Sequence, residues 1–182
     1  MTIHRNIKLT VAILTIIFSS PVFGQTPSKF YDQAKIEVFH PDFKKIIDPL
    51  IKIELLAEGF QWTEGPVWVQ KGNYLLFSDT RLNTIYKWSS KNGVEKFIQP
   101  AGYQGTEIYS EEPGTNGLVI NKEGYLVACD HGNRQIVQID LNKRKFTPLS
   151  THWKQLRFNS PNDICQHDHG DYFFTDPPYG LP

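Results

Sequence analysis

The sequence predicts an all-β fold built as a β-propeller, and three observations carry that expectation. The first is a sentence that recurs: Glu64 to Asp79 reads EGPVWVQKGNYLLFSD, Asn116 to Asp130 reads NGLVINKEGYLVACD, and Asn162 to Asp176 reads NDICQHDHGDYFFTD. Each copy opens on an oxygen-bearing side chain, turns at Gly72, Gly124 or Gly170, and ends an apolar strand on aspartate. The second is the spacing of the openings, 52 and then 46 residues, a period that signals a repeat architecture; strand-turn-strand content makes propeller blades the best candidate. The third is composition. The 182 residues hold 13 Gly and 12 Pro with 13% aromatics, and turn residues cut every strand-like run before a helical period can develop.

Taken in order, residues 1–24 read as a secretory signal. Arg5 and Lys8 precede the ten-residue apolar run Leu9 to Phe18, and the segment closes on Val22-Phe23-Gly24 before Gln25. Ten apolar residues are too few to cross a hydrocarbon core of about 30 Å. The expectation is therefore an exported chain, periplasmic or secreted, with no membrane attachment once the signal is removed. Residues 25–50 form a lead-in: a polar stretch from Gln25 to Tyr31, then one or two helical turns over Pro41 to Ile47, with Pro41 suited to a first helical position.

The propeller-like part is expected over residues 51–182. Ile51 to Leu56 alternates polar and apolar and reads as a strand. After Asp79, Asn83 to Trp88 and Val94 to Ile98 supply two more strands around an Asn92-Gly93 turn, which completes a four-stranded blade. The second copy repeats this with Arg134 to Asp140 and Lys145 to Leu149. The third provides only Asn162 to Cys165 and Tyr172 to Thr175, so about two and a half blades are expected in these residues. Between the first two blades lies Pro100 to Gly114, a loop long enough to suggest function.

Charge excludes one class of partner. Lys and Arg number 19 and Asp and Glu number 19, with no basic stripe, so nothing points to nucleic acid. Cys129 and Cys165 both fall in expected strands; two buried thiols is the better reading, and spacing alone does not decide a bridge.

In a propeller the innermost strands line a central channel, so Glu64, Asn116 and Asn162 are expected to converge there. One carboxylate and two amide carbonyls make a hard-oxygen set suited to Ca²⁺ or Mg²⁺. The same positions could instead cap strands or bond turn backbone, as Asn often does. His131, next to Asp130, is a candidate general base, with an exposed loop histidine as the plainer alternative. His167-Asp168-His169 falls on a hairpin turn and is read as a turn. Tyr74, Phe77, Tyr125, Phe173 and Phe174 are read as core.

Five stretches together resemble one family: Thr63 to Trp68, Glu112 to Leu118, His131-Gly132, Asn159 to Asp163, and Thr175 to Gly180. The chain from Ala57 onward is similar to the gluconolactonase, senescence marker protein and luciferin-regenerating enzyme family. That resemblance implies a six-bladed propeller with one divalent metal on its axis, hydrolysing a sugar lactone by metal-assisted attack of water. It implies Glu64 as a metal ligand, Asn162 as a contact to metal or substrate, Arg157 as a substrate contact, and Asn116 as a substrate contact by position. It favours Ca²⁺, with Zn²⁺ or Mg²⁺ as alternatives. It also implies ligands from later blades, an asparagine and an aspartate, beyond Pro182. The expectation for these residues alone is a truncated ring of low activity that self-associates through exposed blade edges. A non-catalytic propeller fragment serving as a binding scaffold is the alternative reading.

Overall fold

In the computed structural model, residues 29–30 and 34–182 are described, so the expected signal at residues 1–24 lies outside them. Fourteen strands are present among the described residues, with one short 3-10 helix at Pro41–Lys45 and no helix long or apolar enough to cross a membrane. Pro41 stands in the first turn of that helix, and the His40 ring accepts from the Asp42 amide.

The first full blade is a four-stranded antiparallel meander: β3 (Thr63–Val69), β4 (Tyr74–Asp79), β5 (Thr84–Ser89) and β6 (Gly93–Ile98), paired in that order. The second repeats it with β7 (Thr115–Ile120), β8 (Leu126–Asp130), β9 (Gln135–Ile139) and β10 (Phe146–Ser150). The third copy is the hairpin of β13 (Ile164–Gln166) and β14 (Tyr172–Phe174). The expected blades are therefore present, two of four strands and one of two.

The blades pack because their strands are apolar on both faces, as sheets sandwiched between neighbours require. Alternate residues serve alternate neighbours. Leu76 and Ile85 from the first blade meet Leu118, Leu126 and Ala128 from the second in one buried cluster. Val127, Cys129 and Ile136 turn the other way and meet Ile164, with Tyr172 and Phe174 packed alongside. Phe77, Tyr86 and Val94 form a third cluster on the opposite flank of the first blade, and Phe60 closes it with edge-to-face contacts at 5.0 Å to both Phe77 and Tyr86. A cleft of about 380 Å³ opens beside that cluster, lined by Leu55, Ala57, Phe60, Glu64, Phe77 and Trp88 among others.

Several expectations are corrected. The strand expected over Ile51 to Leu56 is reduced to β2 (Glu54–Leu55), and it pairs with β1 (Lys29–Phe30), inside the stretch read as a polar lead-in. A small hairpin, β11 (His152–Trp153) with β12 (Leu156–Arg157), joins the second blade to the third and was not foreseen. Asn162 and Asp163 precede β13 rather than lie in it. Cys129 is buried but Cys165 is exposed, and both are free thiols. Tyr125 and Phe173 are exposed, Phe173 by 61%, so the matching aromatic positions are not uniformly core.

Candidate functional site

The three repeats converge at the openings of their first strands. In β3 the register slips between Glu64 and Val67, and in β7 it slips between Thr115 and Leu118. Each slip is a β-bulge, which bends a strand and re-aims a side chain. The bulges bring neighbouring main chains into contact. The Gly117 amide donates to the Asn162 carbonyl at 2.7 Å, and the Ser78 hydroxyl donates to the Asn116 carbonyl at 2.8 Å. Glycine is required at both bulges. A Cβ on Gly65 would stand 2.2 Å from the Asn116 oxygen, and one on Gly117 would stand 2.8 Å from the Asn162 oxygen.

Side chains follow the backbone. Asn116 is buried, and its Nδ2 donates to Asn162 Oδ1 at 2.9 Å. Glu64 is half-buried, and its Oε1 accepts the Trp62 indole N–H at 3.1 Å. Three of the expected residues thus sit on successive, mutually contacting strand openings. Among the described residues no three His, Cys, Asp or Glu side chains gather into a group that could hold a metal ion; the oxygen-bearing side chains at these openings are one carboxylate and two amides. Such a set is chemically fitted to a hard cation rather than to a thiolate- or imidazole-loving metal.

The aspartates that end each copy build the support. Asp79 accepts from the amides of Gln61, Trp62 and Leu82. Asp130 accepts from the Asn133 amide and side chain and from Gln135 Nε2. Asp176 accepts from the Asn159 amide at 2.8 Å. The next residue in each copy then closes the same link: Thr80 N–H to Trp62 O, His131 N–H to Gly114 O, and, in mirror sense, Ser160 N–H to Pro177 O. Asp79 and Asp176 therefore hold the segments that lead into Glu64 and Asn162, whereas Asp130 ties down the turn that follows its own strand. Burial pushes the Asp130 carboxyl above the usual carboxylate range, against the pull of its Gln135 and Asn133 hydrogen bonds.

Arg157 and His131 are not brought to this point in the same way. Arg157 lies exposed on β12, and its Nη2 donates to the Asn133 carbonyl at 2.7 Å. Arg134 reciprocates with Nε to the Phe158 carbonyl at 2.6 Å. His131 is fully buried, which corrects the reading of an exposed loop histidine, and Gly180 packs directly on its ring. Neither ring nitrogen makes a hydrogen bond. Glu112 Oε2 lies 3.4 Å from Nδ1. Burial lowers the His131 pKa to about 4, outweighing the negative charge of Asp176, which pulls the other way. The imidazole is neutral at neutral pH and sealed from solvent, which removes the access a general base needs.

Sequence reasoning missed a cluster beside Glu64. The loop from Pro100 to Gly114 presents Glu111, which meets Arg81 at 3.4 Å, and Glu112, which meets His131. Burial raises the Glu112 pKa, with Glu64 and Glu111 adding to the rise and Arg81 opposing it. The only sequence signal for these groups was the motif carrying Glu112 and the unusual length of the loop.

Residues 62–181 match the model of the SMP-30/gluconolactonase/LRE-like region. The chain belongs to that family. It is 41% identical over 149 residues to a gluconolactonase of Zymomonas mobilis subsp. mobilis, covering 81% of this chain and 42% of that protein. It is similar to the structure of a gluconolactonase from Xanthomonas campestris with a TM-score of 0.72 and 25% identity, over 86% of this chain and 48% of that one. A further solved structure assigned to the gluconolactonases matches at a TM-score of 0.60 and 34% identity, over 69% of this chain and 39% of that one. The family member described here therefore spans less than half the length of each of these relatives, and its fold is the gluconolactonase propeller over that span.

Proposed function

We propose that the chain serves a gluconolactonase-type reaction, the hydrolytic opening of a sugar lactone to its hydroxy acid. The observation that carries the reading is the placement of Glu64, Asn116 and Asn162 at successive strand openings, with the Asn116 and Asn162 side chains 2.9 Å apart and the Gly65 backbone against the Asn116 carbonyl. Glu64 and Asn162 would hold a divalent cation, Ca²⁺ by the hardness of the donors, with Mg²⁺ or Zn²⁺ as rivals. When bound, the metal would supply Lewis acidity toward the lactone carbonyl. The residues' own work is positional. Asn116 orients the Asn162 amide, and Glu64 contributes negative charge that its neutral indole partner does not cancel. Arg157 retains guanidinium donors beyond the one given to Asn133, which suits it to a substrate hydroxyl. His131 enters as a packing residue, not as the base.

Titrating purified protein with Ca²⁺ while following acid release from gluconolactone tests the reading. Ca²⁺ is expected to raise the rate, and Glu64→Ala to remove the increase. A rate that ignores both metal and Glu64 overturns it. Export through the residue 1–24 signal is part of the same proposal, and mass spectrometry of exported protein is expected to find an N-terminus near Gln25.

The scaffold reading has one observation in its favour, the open apolar cleft beside Phe60, Phe77 and Trp88. It predicts metal-independent binding without hydrolysis, and light scattering that reports self-association through that flank.

A further inference from the structure

We propose that Trp62 is the positioning residue for Glu64, and that Arg81 and Glu111 hold the indole in place. The inference rests on the reading of Glu64 as a metal-site carboxylate.

Trp62 is fixed at its backbone first. Its amide donates to Asp79 Oδ1 at 3.2 Å, and its carbonyl accepts the Thr80 amide at 3.1 Å. The side chain is not spent on the core. It is 48% exposed and belongs to none of the three apolar clusters. A large indole left half in solvent has another use, and the geometry shows one. Its Nε1–H donates to Glu64 Oε1 at 3.1 Å. The indole is a donor only, with two rotatable bonds, so it points a carboxylate at small entropic cost. It is also neutral. A Lys or Arg in its place would orient Glu64 equally well but would compete with any cation for the charge. Trp62 leaves that charge intact, and among the described residues no hydrogen bond or ion pair engages Oε2.

The outer face of the arrangement is held as well. The Arg81 guanidinium lies 5.4 Å from the centroid of the Trp62 ring, and its Nη2 reaches Glu111 Oε2 at 3.4 Å. Glu111 belongs to the 100–114 loop, so the chain Glu64–Trp62–Arg81–Glu111 couples the loop to the site. The other blades solve the same problem differently. The positions matching Trp62 are Gly114 and Ser160, which cannot reach, and there the two asparagines orient each other.

Two measurements decide it. In ¹H–¹⁵N spectra, the Trp62 indole signal is assigned as the one of four that Trp62→Phe removes. Glu64→Gln is expected to shift that signal most. In calorimetry, Trp62→Phe is expected to weaken Ca²⁺ binding about 10-fold, the size of effect typical for a group that orients a ligand. Arg81→Met is expected to weaken it less, about 3-fold, because an exposed ion pair contributes little. The melting temperature of Trp62→Phe is expected to stay near that of the parent. An indole signal indifferent to Glu64→Gln overturns the proposal, whatever the metal does. So does a Trp62→Phe variant that binds Ca²⁺ as the parent does. A parent that takes up no Ca²⁺ defeats the metal reading instead, and the indole signal still decides whether Trp62 positions Glu64.

Discussion

Leu76, Val127 and Phe173 occupy the same place in three copies of one sequence pattern, three residues before the closing aspartate. Leu76 and Val127 are fully buried, and Phe173 is 61% exposed. Nothing intrinsic to the position separates them. Leu76 faces the second blade and Val127 faces the third copy, while no described strand lies against Phe173. The comparison teaches that burial in this fold belongs to pairs of blades, not to single ones. The flank of the first blade that carries Phe77 and Trp88 makes the same point from the other side, since it opens on a cleft rather than on a neighbouring sheet.

The sharpest way to break that view is to empty each position in turn. Leu76→Ala is expected to cost about 3 kcal/mol, the usual size for a leucine lost from a tight interface. Phe173→Ala is expected to cost less than about 0.5 kcal/mol despite removing a larger group. Chemical denaturation of both variants checks it, and equal losses would show that each blade is stabilised from within.

A second test uses pH. Thr80 and His131 are matching residues, and only His131 titrates. Burial depresses its pKa to about 4 from an ordinary value near 6.5. The unfolded chain therefore binds the proton more readily than the folded one. The stability tied to the neutral ring is fully present above pH 6.5 and is lost as pH falls toward 4, on the order of 3 kcal/mol. Melting curves at pH 7 and pH 4.5 are expected to diverge for the parent and to draw closer together for His131→Thr.

Glycines sharpen the comparison further. Gly65 has φ of +54° and sits against the Asn116 carbonyl, whereas Gly124 has φ of +84° and open space around it. Gly124→Ala is expected to cost about 1 kcal/mol for its backbone angle alone. Gly65→Ala adds a collision with main chain and is expected to cost more than about 2 kcal/mol. It should also lower Ca²⁺ uptake, which a surface glycine would not.

Much of this was legible before the structure. The period, the hairpin glycines and the terminal aspartates announced the blades, because a repeated fold must repeat its register. The pairing of Asn116 with Asn162 was legible for the same reason, since equivalent positions of successive copies fall side by side. What stayed hidden depended on the neighbour rather than the segment. Phe173 and Tyr125 carry core-type side chains and look the same in sequence whether or not a sheet covers them. Glu54–Leu55 was too short to reveal that it pairs with Lys29–Phe30 across 24 residues. His131 looked like a loop residue because Gly132 follows it, yet it is buried, with Gly180 against its ring and Glu112 beside it. Gly65 stood within the first motif and Trp62 just before it, but a hydrogen bond across two residues and a close approach between strands leave no periodic trace.

The bulge glycines have one more consequence. Because Gly65 and Gly117 let main chain touch main chain, the spacing between neighbouring strand openings is fixed by atoms that every residue shares. The single side chain that each opening projects is then free to vary without disturbing that spacing. Inheritance of shape and inheritance of chemistry are carried by different residues, one position apart: Gly65 beside Glu64, and Gly117 beside Asn116. A scaffold divided in this way can exchange its ligand set one blade at a time, which makes it a ready substrate for evolution and for redesign.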